Sequence, residues 1–125
     1  MKQREAIIQN YIDAYNSFDV EGMIKDMDDN VMFQNVSNGD TNISLQGIDA
    51  FKAQAEQAKI YFTERKQTLT SVTHSLDTTE IEIDYHAVLA IDFPNGMKKG
   101  EVLKMQGISL FTFKGDKIIK LVDVS

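Results

Sequence analysis

From Lys66 to its end the hydrophobic pattern of this chain keeps a period of two, and that limits the folds open to it. Before Lys66 apolar side chains recur mainly at helical steps, with one short alternating stretch; after it they alternate throughout, Thr, Val and Ile accumulate, and no further helical stripe follows. Helices followed by a run of strands predict an α+β domain with helices packed on one face of an antiparallel sheet. At 125 residues, one domain spanning 1–125 with one core is expected.

Ile7, Ile8, Tyr11, Ile12 and Tyr15 form the apolar stripe of a first helix, from Gln3 to about Asn16. Asp19 offers an N-cap to a short second helix carrying Val20, Met23, Ile24 and Met27, which Asp28, Asp29 and Asn30 end. Val31, Phe33 and Asn35 then alternate as a short strand, and Ser37 to Asn42 reads as a loop. Ile48, Phe51, Ala55, Ala58 and Phe62 keep helical spacing through a third helix.

Four strands are expected beyond it: Gln67–His74, Glu80–Phe93, Glu101–Phe113 and Ile118–Val124, with turns at Pro94-Asn95-Gly96 and Lys114-Gly115-Asp116. Ser109 shares a face with Phe111 and Phe113, and Asp123 one with Ile119 and Leu121. A hydroxyl and a carboxylate among large apolar side chains suit a ligand site, which is mostly apolar with a few convergent polar groups. The opposite face of the third of these strands, with Ile108 and Leu110, is apolar too, which predicts a homodimer covering the outer side of the sheet.

A net charge of −6, with 13 basic residues scattered among 19 acidic ones, argues against nucleic acid as a partner. Two distant histidines and no cysteine predict neither a metal site nor a disulfide framework, and no cofactor is expected. The first helix breaks its apolar residues with Gln9, Asn10 and Asp13, unlike a signal peptide, so a cytoplasmic location without membrane contact is expected. Met23, Met27, Met32 and Met105 read as adaptable core.

The run YIDAYNSFDVEGM, the strand DDNVMFQNV, the helix start LQGIDAFKAQ and the terminal FTFKGDKIIKLVD stand in an order that resembles the NTF2-like superfamily. Within it, the SnoaL-like proteins, ketosteroid isomerases and limonene-epoxide hydrolases are similar. The resemblance implies a cone: three N-terminal helices packed in a curved, mainly antiparallel sheet around a cavity. Because that fold hosts many reactions as well as non-catalytic binders, function must come from residues.

Against the isomerase pattern, Tyr11 stands at the oxyanion-hole tyrosine, but the general-base aspartate falls at Asn35 and the protonated aspartate at Ser109. An amide does not accept a proton at neutral pH, so that catalytic set is not intact. Against the epoxide hydrolase pattern, Phe33, Gln34 and Asn35 match the first strand, Asn35 as a holder of water, and Asp123 matches the terminal carboxylate. The arginine of that pattern falls at His86, expected to bridge Asp123 or orient a water, and its second aspartate at Val88; a slipped alignment pairs Asp84 with His86 instead.

Each candidate has a plainer role beside it. His86 reads equally as a solvated strand histidine, Asp123 as an exposed chain end, and Tyr11 and Tyr15 as core aromatics. The reading adopted is a pocket that binds a small, mostly apolar molecule through Tyr11, Tyr15, Phe33, Asn35, Phe51, Ser109 and Phe111. The alternatives are a hydrolase or an isomerase/cyclase-like enzyme using Asp123 or His86 as base with Asn35 and Tyr11, and a dimeric, non-catalytic interaction module.

Overall fold

The structure, a computed structural model, describes residues 2–125. Helix α1 (Lys2–Asn16) buries Ile7, Ile8, Tyr11, Ile12 and Ala14 on one stripe. It closes on a left-handed residue, Phe18 at φ 59°, with the Asp19 amide bonded to the Ala14 carbonyl and the Phe18 amide to the Tyr15 carbonyl. Asp19 then caps α2 (Val20–Ile24), its side chain accepting from the Gly22 amide.

The second helix is one turn shorter than its apolar spacing suggests. Met27 opens β1 (Met27–Ser37), which pairs with β2 (Asp40–Gln46) around a turn at Asn38 and Gly39. The expected loop at Ser37 to Asn42 is therefore a hairpin, and the polar Asp40, Thr41, Asn42 and Ser44 stand on an exposed edge strand. Polar edge strands escape a search for apolar alternation.

Helix α3 (Ile48–Ala58) ends in a 3₁₀ turn at Lys59–Tyr61, and Phe62 begins β3 (Phe62–His74) instead of completing a helical stripe. Then come β4 (Thr78–Leu89), β5 (Val102–Lys114) and β6 (Lys117–Val124). So two helices precede a hairpin and the third follows it, where one short strand was expected between the second helix and the third. Strand order is β2-β1-β6-β5-β4-β3, antiparallel except for the parallel β1–β6 pair. Irregularities in β1, β3 and the β5–β6 pair bend the sheet around the helices, as bulges do.

The bulge in β6 also resets its faces. Phe113 pairs with Ile118 and Thr112 with Lys120, so Ile118, not Ile119, joins Leu121 and Asp123 on the inner side. Phe111, Ile8, Ile12, Ile81, Ile118 and Leu121 fill the core between α1 and the sheet. No helix among the described residues is long and apolar enough to cross a membrane.

Candidate functional site

Three neighbouring strands set one polar row across the inner face. Asn35 on β1 pairs with Asp123 on β6, which pairs with Ser109 on β5. The Ser109 hydroxyl donates to Asp123 Oδ1 at 2.7 Å, and Asn35 Nδ2 donates away from the row to Asn42 Oδ1 at 2.9 Å. Burial pushes the Asp123 carboxyl up to about 6, against a smaller lowering by Ser109.

Helix α1 lays two phenols over this row and β4 adds a third. The Tyr15 and Tyr85 hydroxyls share a hydrogen bond of 2.8 Å, while the Tyr11 ring meets Phe111 edge to face at 5.7 Å. Desolvation first, then the Asp123 charge, holds Tyr11 well above the usual phenol range. Tyr15 and Tyr85 are raised as well, chiefly by burial. All three phenols are thus neutral donors over the accessible pH range.

Among the described residues no fully buried side-chain nitrogen or oxygen lacks a partner. Among the described residues neither the Tyr11 hydroxyl nor Asp123 Oδ2 has a hydrogen-bond partner, so neither atom is wholly enclosed. Each of these atoms can meet a polar group of a small molecule, Tyr11 donating and Asp123 accepting or donating with its protonation state. Phe33 and Phe51, edge to face at 5.3 Å, belong to the wall near α3.

His86 is not part of this site. It is exposed on the outer face of β4, paired with Lys104 five residues along β5 from the Ser109 level, and so lies far from Asp123. The expected bridge between His86 and Asp123 does not form, because alternation along β4 sends Ile81, Ile83, Tyr85 and Ala87 inward and Glu82, Asp84 and His86 outward. His86 and Asp84 instead line a surface groove of about 430 Å³ with Thr68, Lys104 and Gln106.

Three interior polar residues were not singled out by pattern: Arg65, Gln67 and Tyr85. Arg65 and Gln67 are buried on the inner side of β3, with Gln67 opposite Tyr85. The Asn16 side chain ties this strand to α1, accepting from the Gln67 amide at 2.8 Å and donating to its carbonyl at 3.1 Å. The available signal was parity, since Arg65 and Gln67 keep step with Leu69.

The model of the SnoaL-like domain family matches residues 8–121. No curated protein matches the sequence. Among solved structures, a protein from Xanthomonas campestris proposed to be a polyketide cyclase superposes with a TM-score of 0.82 at 16% identity, over 99% of this chain and 90% of that one. AclR from Streptomyces galilaeus, proposed to be a hydroxylase, gives a TM-score of 0.78 at 18% identity, over 99% and 89%. A protein of ketosteroid isomerase-like fold from Catenulispora acidiphila, in complex with trimethylamine, gives 0.76 at 13%, over 94% and 82%.

Proposed function

The chain belongs to the SnoaL-like domain family, and from that footing we propose that it binds a small, mostly apolar molecule on the inner face of the sheet, one oxygen function of the ligand against Asp123 and Tyr11. The observation that carries this reading is the pair of unpartnered atoms, Asp123 Oδ2 and the Tyr11 hydroxyl, in a wall of aliphatic and aromatic side chains. Asn35 and Ser109 flank the carboxylate, and Tyr15, Phe33, Phe51 and Phe111 supply the apolar surround. A relative of the same fold in complex with a small amine is consistent with a ligand-binding role.

The test is a thermal-shift screen of small ketones, lactones and phenols against the intact protein and Asp123→Asn. Some compounds are expected to raise the melting temperature of the wild type by several degrees and the variant by much less. A screen without hits, or hits indifferent to Asp123→Asn, would remove the reading.

One observation favours a second reading, proton transfer on the bound ligand. A carboxyl titrating at about 6 is divided between its two forms near neutrality, as a general acid or base requires. Asp123 would take a proton from the carbon beside a carbonyl while Tyr11 donates to the developing enolate oxygen. Solvent deuterium exchange into a bound ketone, abolished in Asp123→Asn, is the expected result; exchange at the uncatalysed rate would leave binding alone. The partly exposed Val36, Ile108, Leu110, Val122 and Val124 on the outer face suit a second copy of the chain, and we propose a homodimer through this face.

A further inference from the structure

The interior holds a cation without an anion. Arg65 on β3 is 4% exposed, yet no carboxylate among the described residues lies within ion-pair distance of it. Burying a guanidinium without a counter-charge is costly, so its surroundings need an account.

Most of its surface is taken up by α1 and the turn after it. The Arg65 Nε donates to the Tyr15 carbonyl at 2.8 Å, where a cation also complements the helix C-terminus. The guanidinium lies against the Tyr15 ring at 3.8 Å and the Phe18 ring at 4.4 Å. Phe18 reaches it from a left-handed backbone position that glycine would occupy with less strain. Capping alone needs neither that ring nor the fork.

What remains is the fork. Among the described residues Nη2 has only the Met23 sulfur at 4.0 Å, a weak acceptor, and Nη1 has no partner, so Nη1 is not wholly enclosed. Two parallel N–H groups in one plane match a carboxylate bidentately, a geometry that lysine lacks. Tyr15, whose ring lies against the guanidinium, shares a hydroxyl hydrogen bond with Tyr85 on the neighbouring strand β4.

From this we infer that Arg65 is an anion-binding residue, and that the ligand class is an amphiphilic acid whose carboxylate engages the Arg65 fork while its uncharged oxygen function reaches Asp123 and Tyr11. The inference rests on the proposed ligand-binding role of the inner face and narrows it to a charged ligand.

The experiment compares straight-chain phenylalkanoates of increasing length with their matching primary amides, by calorimetric titration of the full chain at neutral pH. The acids are expected to bind about tenfold or more tightly than the amides at an intermediate length, the difference that one charged bidentate contact makes. Arg65→Gln is expected to erase the difference. Arg65→Lys, which keeps a cation at the helix end if the Gln variant fails to fold, is expected to lose most of it. Equal binding of acids and amides, or a preference that survives undiminished in Arg65→Lys, overturns the assignment while leaving ligand binding intact; no binding by any compound overturns both.

Discussion

At Asp123 the cost of burial and the capacity for chemistry have one cause. Removing the carboxyl from water raises it to about 6, and the Ser109 hydroxyl only partly offsets that. Below about pH 4 the side chain is neutral in both folded and unfolded chains and adds nothing to the pH dependence of stability. Between about 4 and 6 the unfolded chain releases its proton first, so stability falls as pH rises, by an amount on the order of 3 kcal/mol once the folded carboxyl has ionised. Asp123→Asn stays neutral and can still accept from Ser109. Chemical denaturation should therefore find the variant about as stable as wild type at pH 4 and more stable, by roughly 2–3 kcal/mol, at pH 7.5. A variant less stable than wild type at pH 7.5 would mean that the carboxylate serves the fold. The plain reading of Asp123 as an exposed chain end gives way because β6 runs between β1 and β5, which leave Asp123 only partly exposed.

The joint between α1 and α2 is the element on which the site's geometry depends, since it carries Tyr15, Phe18 and the Asp19 cap. At Gly22 the second helix packs tightly against Ala14 of the first. A Cβ there would stand 2.5 Å from Asp19 Oδ2 and 2.9 Å from Ala14 Cβ. Gly22→Ala is thus expected to lose about 1–3 kcal/mol in urea unfolding, by overpacking and loss of the cap, despite alanine's better helix propensity. Unchanged or increased stability would show that the joint yields. Helix α1, α3 and the three C-terminal strands were legible because long apolar periodicities survive without tertiary information. The β2 edge strand was not, because its burial is one-sided and weak, and β3 began earlier than expected because Tyr61 and Phe62 fit a helical stripe as well as a strand. The bulge that puts Ile118 in place of Ile119 follows from pairing with β5, which β6 alone does not encode.

Over the whole molecule, the sheet has two faces that bury different things. The inner one holds the core and the polar row; the outer one leaves Ile108, Leu110, Val122 and Val124 partly exposed. Light scattering should give about twice the 14.1 kDa chain mass, and Ile108→Glu should return the monomer with little loss of fold. A monomeric wild type would remove the dimer. The resemblance carried by local segments anticipated the fold and named Asn35, Asp123 and Ser109 separately; that they stand side by side comes from the strand pairing. It could not exclude His86, since only strand register decides which face a residue takes, nor find Arg65, since a lone charged residue near a helix-to-strand change carries no periodic mark. In the function proposed, Asp123 is a protonatable carboxyl open to a ligand on the inner face. A carbon-13 NMR titration of the Asp123 carboxyl, free and with the strongest compound from the screen, tests this. The expected midpoint is at about 6 in the free protein, displaced when the ligand binds. A midpoint at about 4, unmoved by ligand, would contradict it.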